Sequence, residues 1–248
     1  MLKVRVIPTL LWKDVGLVKG VGFDSWRRVG PVVPAIRVYN LRDVDELIVV
    51  DITATRENRP PDFASVAEFS AHCTVPLTVG GGLTNVDEMQ ALLRAGADKV
   101  CLNSAFFDTP ELVKQGAELF GSQCIVVSLD VGPGGLCHSH SGSREREMNP
   151  VDAAQRAADL GAGEILLTSI ASDGTMAGYD LALIGAVSRQ VNIPVIASGG
   201  AGKPADFVAA VVEGGASAVA AASLFHFTEL TPRQVKLAMA DAGLPVRL

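Results

Sequence analysis

The chain has 248 residues, of which 48% are hydrophobic and 5% aromatic, and its mean hydropathy is +0.31. A formal net charge of −6 without a basic cluster argues against nucleic acid as a partner. The apolar runs are strand-length and broken by charged residues. We therefore expect no membrane-spanning segment, no signal peptide and a cytoplasmic location.

The cysteines indicate neither a disulfide framework nor a metal site. Cys73, Cys101, Cys124 and Cys137 contain no C-x-x-C pair, and three of them lie in or near apolar strand patterns. The segment CHSH, 137–140, places three metal-ligating side chains within four residues, but no second cluster completes a site. We expect reduced thiols, no metal and no cofactor.

Short β-rich runs alternate with amphipathic helical patterns along the whole chain. In chain order the runs are VRVIPTL, ELIVVDI, VPLTVGG, KVCLNS, CIVVSLD, EILLTSI, IPVIASGG and AVAAAS. Continuous apolar strands separated by helices are typical of a parallel sheet that is buried on both faces. The sequence predicts an α/β fold, a single (β/α)₈ TIM barrel spanning residues 1–248, with its site at the C-terminal ends of the strands.

The second half of the chain repeats the first. VDELIVVDI at 44–52 matches AGEILLTSI at 162–170, which pairs Glu46 with Glu164. IPTLL matches VVSLD, which pairs Leu11 with Asp130. We predict two half-barrels, approximately 1–120 and 121–248, related by a pseudo-twofold axis. The repeat itself therefore predicts an acid where Leu11 stands.

The same symmetry predicts two equivalent anion sites. Glycine-rich turns follow the third and seventh strands, and polar or small residues follow the next strand in each half. Backbone N–H groups in such turns can cradle a phosphate, although a glycine-rich turn can also be merely tight. The residues concerned are Gly81, Gly82, Asn103 and Ser104 in the first half, and Gly199, Gly200, Gly202, Ala222 and Ser223 in the second. A ligand spanning both turns would carry a charged group at each end.

Strand alternation places four charged side chains at the start of the barrel. Arg5 and Lys99 point inward from the first and fourth strands, and Glu46 and Glu164 open the second and sixth. These two cations and two anions can form a closed ring of ion pairs. From the residues alone, the ring is either functional or a structural plug. The same alternation predicts that Cys124 points inward.

Other polar residues lie at the expected mouth of the barrel. Lys19 follows the first strand and could reach a phosphate, close a loop over the site or remain an exposed loop lysine. Asp51 and Asp173 could contact a ligand or form Asx turns. Thr168 could bind a ligand or satisfy local backbone groups, and His226 is expected to be a packed core histidine.

The chain resembles the cyclase subunit of imidazole glycerol phosphate synthase from end to end. The segments that carry the resemblance are PLTVGGGL, LLRAGADKVCLNSA, FGSQCIVVSLDV, GAGEILLTSIASDGTMAGYD, VNIPVIASGGAG and LPVRL. The resemblance implies a (β/α)₈ barrel that receives ammonia from a glutaminase partner and binds a phosphorylated small molecule. It also implies that Arg5, Glu46, Lys99 and Glu164 gate the ammonia path.

One residue departs from the chemistry that the resemblance implies. The family resembles a two-acid catalyst, with one aspartate after the first strand and one after the fifth, and this chain keeps only Asp130. Leu11 cannot hold a proton, so we expect an enzyme with impaired cyclisation. Further departures are Trp12, Val15 and the segments 56–63 and 138–150.

These departures resemble a sister group of cyclase-like proteins from surface-polysaccharide gene sets. That resemblance implies a subunit that passes ammonia to a sugar amidotransferase for acetamidino modification, and the departures favour this interpretation. The alternative is the histidine-pathway cyclase, which forms imidazole glycerol phosphate and AICAR from PRFAR and ammonia. A third hypothesis is a catalytically silent scaffold for a glutaminase. The sequence does not identify the sugar or the acceptor enzyme.

Overall fold

The computed structural model describes residues 2–14 and 16–248, so Val15 lies outside the described residues. The strands of the described chain are β1 (Arg5–Lys13), β2 (Gly16–Val21), β3 (Asp24–Gly30), β4 (Leu47–Asp51), β5 (Leu77–Gly80), β6 (Lys99–Leu102), β7 (Ile125–Val131), β8 (Cys137–Ser139), β9 (Arg144–Glu145), β10 (Glu164–Ser169), β11 (Val195–Ser198) and β12 (Ala218–Ala221).

Helices separate the barrel strands. They are α1 (Val32–Leu41), α2 (Phe63–His72), α3 (Val86–Arg94), α4 (Ser104–Asp108), α5 (Glu111–Phe120), α6 (Pro150–Asp159), α7 (Leu181–Ser188), α8 (Pro204–Val212), α9 (Ser223–Phe227) and α10 (Pro232–Asp241). A 3₁₀ turn, Ser122–Cys124, precedes β7.

Local sequence signals explain where several helices begin. Asn85 caps α3 by accepting the Glu88 N–H, and Asn149 caps α6 immediately before a proline. Thr231 begins α10 in a reciprocal capping box with Gln234. These side chains satisfy backbone donors that have no partner inside a helix.

Eight parallel strands of the described chain close into a barrel, in the order β1, β4, β5, β6, β7, β10, β11, β12 and back to β1. The closing seam pairs Arg5 with Ala218 and Pro8 with Ala221. All eight strands match predicted runs, so the predicted (β/α)₈ fold is confirmed. The carboxyl ends of the strands therefore meet at one face, which is where a barrel site is expected.

Two apolar clusters flank the sheet. The larger lies between the strands and the surrounding helices. The smaller fills the barrel interior and consists of Ile7, Ile48, Cys101, Val126, Leu166, Ile196, Ala218 and Ala220. Cys124 precedes β7 and packs against the outer cluster, so the prediction that it points inward is wrong.

A β-hairpin follows the first strand of each half, and neither was predicted. Strands β2 and β3 pair antiparallel after β1, and β8 and β9 do so after β7. The two hairpins occupy equivalent places in the half-barrels predicted for approximately 1–120 and 121–248. They bring additional residues over the carboxyl ends of the strands.

No helix in the part of the chain that the structure describes has the length and apolar character needed to span a membrane.

Candidate active site

A cavity opens at the carboxyl ends of the barrel strands. Its wall includes most of the residues that the sequence singled out at this face, together with residues of the β2–β3 hairpin. The predicted residues among them are Leu11, Lys19, Asp51, Gly81, Gly82, Asn103, Ser104, Asp130, Thr168, Asp173, Gly199, Gly200, Ala222 and Ser223. The structure thus brings the candidate acid, both glycine-rich turns and two further carboxylates to one space.

Asp130 lies at the end of β7 and is 9% exposed. The pKa of its carboxyl is raised to about 7, chiefly by burial and also by the nearby Asp173, while hydrogen bonding from Ser128 and Thr168 opposes the shift. Ser128 Oγ donates to Asp130 Oδ1 over 3.2 Å, and Asn103 Nδ2 donates to Oδ2 over 3.3 Å. A carboxyl with a pKa near neutrality can both release and accept a proton at physiological pH.

Leu11 lies on the opposite half of the barrel and also lines the cavity. It belongs to β1, where it pairs with Val50 of β4 and with Val18 of β2. Leu11 therefore occupies the position that corresponds to Asp130 by sequence repeat, and its apolar side chain faces ligand space. Trp12, the next residue, is buried outside the barrel against Phe69, with ring centroids 5.1 Å apart.

The two glycine-rich turns have similar geometry. Gly81 and Gly82 have φ values of 107° and 77°, and Gly199 and Gly200 have values of 87° and 111°. A Cβ on Gly81 would overlap the carbonyl oxygen of Asp51, and one on Gly199 would lie 2.7 Å from that of Ser169. In each half, the first glycine thus packs on the last residue of the neighbouring barrel strand, which is β4 for Gly81 and β10 for Gly199. Only glycine tolerates both the backbone angle and the approach.

The backbone donors of these turns differ in availability. The Gly82 N–H makes only a long bond, 3.3 Å, to Thr55 Oγ1. The Gly202 N–H donates to Asp206 Oδ2 over 2.9 Å, and Gly202 is absent from the cavity wall described here. The Gly202 N–H therefore contributes to the start of α8, and the role of Gly202 in the anion site stays a prediction.

Lys19 is buried and forms an ion pair with Asp173 across the mouth of the cavity. Burial raises the pKa of the Asp173 carboxyl, and the Lys19 ammonium opposes that shift. The Gly22 N–H also donates to the Asp173 carbonyl over 2.9 Å. Lys19 is thus neither an exposed loop lysine nor a free cation, and it fastens the β2–β3 hairpin to the loop after β10.

Asp51 is engaged by its own loop. Arg59 donates to both of its carboxylate oxygens, over 2.7 and 3.1 Å, and Thr53 and Ala54 donate their backbone N–H groups to Oδ1. The Asx-turn interpretation therefore describes Asp51 better than a free ligand-binding carboxylate. Asp51 lines the cavity, whereas Arg59 is not among the residues of the cavity wall.

The four charged residues at the other end of the barrel form the predicted ring. Arg5 contacts Glu46 at 2.5 Å and Glu164 at 2.7 Å, and Lys99 contacts the same two carboxylates at 3.1 and 2.9 Å. Thr78 Oγ1 also donates to Glu46 Oε1 over 2.7 Å. The apolar interior cluster lies between this ring and the cavity, so one axis joins the ring to Asp130.

Residues 5–231 match the family described as "Histidine biosynthesis protein". The chain belongs to this family. It is 50% identical over 250 residues to a Hyphomonas neptunium protein named imidazole glycerol phosphate synthase subunit HisF, and the match covers 100% of this chain and 99% of the relative. A Caulobacter vibrioides protein of the same name is 46% identical over 253 residues, covering 100% and 97%.

Membership of the histidine biosynthesis family changes the balance between the hypotheses. These relatives carry the name of the histidine-pathway subunit, so they support that alternative better than the acetamidino-sugar interpretation that the sequence departures favour. The sister-group subtype is not shown by these comparisons.

Several residues of the family member's cavity escaped the sequence analysis. Thr9 lies on the cavity wall with a buried hydroxyl that has no hydrogen-bond partner in the described residues. Phe23 and Trp26 line the wall from the unpredicted hairpin. Thr9 precedes Leu11 by two residues on β1, so strand alternation puts both on the inner face, but no sequence signal predicts that the hairpin folds over them.

The metal-ligand pattern noted in CHSH does not assemble. In residues 2–14 and 16–248, no group of three or more His, Cys, Asp or Glu side chains is placed to hold a metal ion. His138 contacts the Gly142 carbonyl through Nδ1, and Cys137 is buried in β8. His226 is packed against Tyr39, as expected, and burial lowers its pKa to about 4.

Proposed function

We propose that the chain is the synthase subunit of an imidazole glycerol phosphate synthase, acting in histidine biosynthesis. The observation that carries the proposal is the position of Asp130, a buried carboxyl with a pKa near 7, between two matching glycine-rich turns in one cavity. The names of the full-length relatives support the same reaction.

The substrate is a molecule with a phosphate at each end. One phosphate binds at Gly82 and Ser104, and the other at Gly200 and Ser223, where backbone N–H groups can approach an anion closely. The matching turns of the two half-barrels support this arrangement. The reacting centre then lies between them, over Asp130.

Asp130 serves as the proton-transfer group. Its raised pKa lets it take a proton from the nitrogen that ammonia contributes and return a proton during ring closure. Asn103 and Ser128 hold the carboxyl in place through the hydrogen bonds described above. Because Leu11 supplies no second acid, cyclisation in this chain is slow.

Ammonia enters through the ring formed by Arg5, Glu46, Lys99 and Glu164. The apolar interior beyond the ring disfavours charged species and admits neutral ammonia. A glutaminase subunit docks on this face. Its contact surface includes Leu41, Leu119 and Val212, which lie in the last turns of α1, α5 and α8 and are 84%, 65% and 64% exposed.

The test measures imidazole glycerol phosphate produced from PRFAR and excess ammonium by the isolated chain. We expect product to form at least about 10²-fold more slowly than with a two-acid cyclase, because general acid–base catalysis typically contributes 10²–10⁴-fold. Asp130→Asn should abolish the remaining activity. Product formation that is unchanged in Asp130→Asn would contradict the proposed role of this residue.

One observation favours a second function. Leu11 faces the cavity and leaves the two-acid site incomplete, while the ammonia path remains intact. In this second candidate the barrel passes ammonia to a sugar amidotransferase. It predicts no imidazole glycerol phosphate from the isolated chain under any ammonium concentration, but transfer of glutamine-derived nitrogen to a sugar when both partner proteins are present. A scaffold without a conduit would give neither product.

A further inference from the structure

The β2–β3 hairpin forms an aromatic roof over the cavity. Phe23 and Trp26 are half-buried and line the cavity wall. Phe23 lies against the turn at Gly142, where an added Cβ would be 2.9 Å from its Cδ2. Together with the Lys19–Asp173 ion pair, this contact holds the roof at two points on the opposite half of the barrel.

Part of the cavity wall beneath the roof is apolar. Leu11, Val50 and Leu166 line it from three strands, and their side chains offer no hydrogen-bonding group. Polar groups also line the cavity, among them Asp130 on β7, Asp173 after β10, and Thr9, Asp51 and Thr168 on the strands that carry the three apolar residues. The cavity therefore has an aromatic roof, an apolar section of wall and a carboxyl at its polar side.

We propose that Trp26 forms a ring-binding subsite, in which its indole stacks on a planar nitrogen heterocycle of a phosphorylated ligand. This inference rests on the proposed function, in which that heterocycle is the imidazole of the product. Stacking leaves the ring edge free to exchange a hydrogen bond with Asp130. The two faces of such a ring are apolar and suit the roof and the leucine-lined wall.

A saccharide fits this space less well. Its hydroxyl groups project around the whole ring, so any that point at the Leu11, Val50 or Leu166 side chains would lose their water without gaining a partner from those side chains. Burying a hydroxyl without a hydrogen bond costs about 1–3 kcal/mol by protein mutational data. A heteroaromatic ring carries its polar atoms only in its plane, and it can direct them toward Asp130.

Three ligands distinguish recognition of the heterocyclic ring from recognition of the phosphate. Isothermal titration would compare imidazole glycerol phosphate, glycerol 3-phosphate and N-acetylglucosamine 1-phosphate on the full chain. Stacking of a base on an aromatic side chain is typically worth enough that its loss weakens binding about tenfold, which corresponds to about 1.4 kcal/mol. We expect Trp26→Ala to weaken the binding of imidazole glycerol phosphate by about this factor and to leave the affinity for glycerol 3-phosphate unchanged.

Two further variants provide controls. Trp26→Phe keeps a ring and should retain most of the affinity, whereas Trp26→Leu keeps only apolar bulk and should behave like the alanine variant. Trp12→Phe removes the other tryptophan, which lies outside the barrel, and should not alter binding. In that background Trp26 is the single tryptophan of the 248-residue chain, and its fluorescence should change with the imidazole ligand.

If Trp26→Ala weakened the binding of imidazole glycerol phosphate and of glycerol 3-phosphate equally, the proposed subsite would be wrong. Trp26 would then act on phosphate binding or on the hairpin as a whole. Weakening confined to N-acetylglucosamine 1-phosphate would overturn the heterocycle in favour of a sugar. If none of the three ligands bound the unmodified chain, the proposed function would fail together with the subsite.

Discussion

At the residue scale, Leu11 and Asp130 show how one position of a repeat can change while its environment is kept. Both face the same cavity from corresponding strands, and the glycine-rich turn associated with each half remains. Asp130 is held by Ser128 and Asn103, whereas Leu11 needs no polar partner. Thr9, which the repeat pairs with Ser128, has a buried hydroxyl without a hydrogen-bond partner among the described residues, so leucine at position 11 leaves unpaired the group that corresponds to the Ser128 donor.

Leu11→Asp should increase the rate of imidazole glycerol phosphate formation by at least about tenfold, because it restores a second group able to transfer a proton. The assay uses PRFAR with excess ammonium. Leu11→Asn is the matched control, since it has the same size and polarity but cannot ionise. An equal increase in both variants would assign the effect to the shape or polarity of the cavity.

Asp130 should also make the stability of the protein depend on pH. Its folded-state pKa of about 7 lies above the ordinary value of 3.8, so the folded state binds the proton more tightly than the unfolded state. This contribution is fully present below about pH 4 and is lost as the pH rises to about 7, by up to about 4 kcal/mol. Urea unfolding at pH 5 and pH 8 measures the part of this loss that falls above pH 5, about 3 kcal/mol.

Asp130→Asn should lack this decrease, and the difference between the two proteins isolates it. The comparison is needed because His226, with a pKa lowered to about 4, contributes in the opposite direction: its stabilisation is lost as the pH falls from about 6.5 to 4. A decrease of the same size in both proteins would show that Asp130 does not hold a proton near neutral pH.

At the scale of single elements, the β2–β3 hairpin determines how closed the cavity is. It continues directly from β1 and crosses the barrel mouth to reach Asp173 and Gly142. Gly20 allows the two strands to approach, since a Cβ there would overlap the Asp24 carbonyl and lie 3.2 Å from Trp26 Cε3. The hairpin therefore depends on a residue that does not touch the ligand.

Gly20→Ala should displace the roof and weaken binding of imidazole glycerol phosphate by about fivefold or more, because inserting an extra methyl group in a packed place typically costs 1–3 kcal/mol. Gly30→Ala is the matched control on the same hairpin, where an added Cβ meets no heavy atom within 4 Å. Titration calorimetry gives the affinities. Similar losses in both variants would mean that the effect does not arise from the clash at Gly20.

Element by element, the sequence predicted the barrel better than it predicted the roof. The eight buried strands are continuous apolar runs, and two halves repeat the pattern, so the strands and the glycine-rich turns could be recognised. The hairpin strands GLVKGV and DSWRRVG mix polar and apolar residues without a clear period. The Asp51–Arg59 pair and the Gly202–Asp206 bond depend on loop conformation, which no residue pattern specifies.

At the scale of the whole molecule, the ring of charges and Asp130 lie on one axis through the barrel. Lys99 contacts both carboxylates of the ring and cannot be removed without leaving negative charge in excess. Its side chain is 16% exposed, so the ion pairs of the ring are intermediate between surface ion pairs and fully buried ones. Removing Lys99 should affect both the stability of the protein and the passage of ammonia through the barrel, and separate measurements can distinguish the two effects.

Lys99→Met should lower the free energy of unfolding by about 2 kcal/mol, between the values for surface and buried ion pairs. With a glutaminase partner present, it should also lower glutamine-dependent product formation relative to the ammonium-dependent reaction. Lys114→Met, at an exposed position of α5, is the control and should change neither quantity. If Lys99→Met left the ratio of glutamine-dependent to ammonium-dependent activity unchanged, the proposed role of Lys99 in gating ammonia would be contradicted.

The seam between β1 and β12 constrains the order in which the protein forms. The register Arg5 to Ala218 joins strands from opposite ends of the sequence, so barrel closure must overcome the entropy of a very long loop. During synthesis, β1, which carries Leu11 and leads into the roof, cannot pair with β12 until Ala221 has been synthesised. The first strand of the barrel therefore has an unpaired edge throughout most of translation, and the ligand cavity is among the last features to assemble.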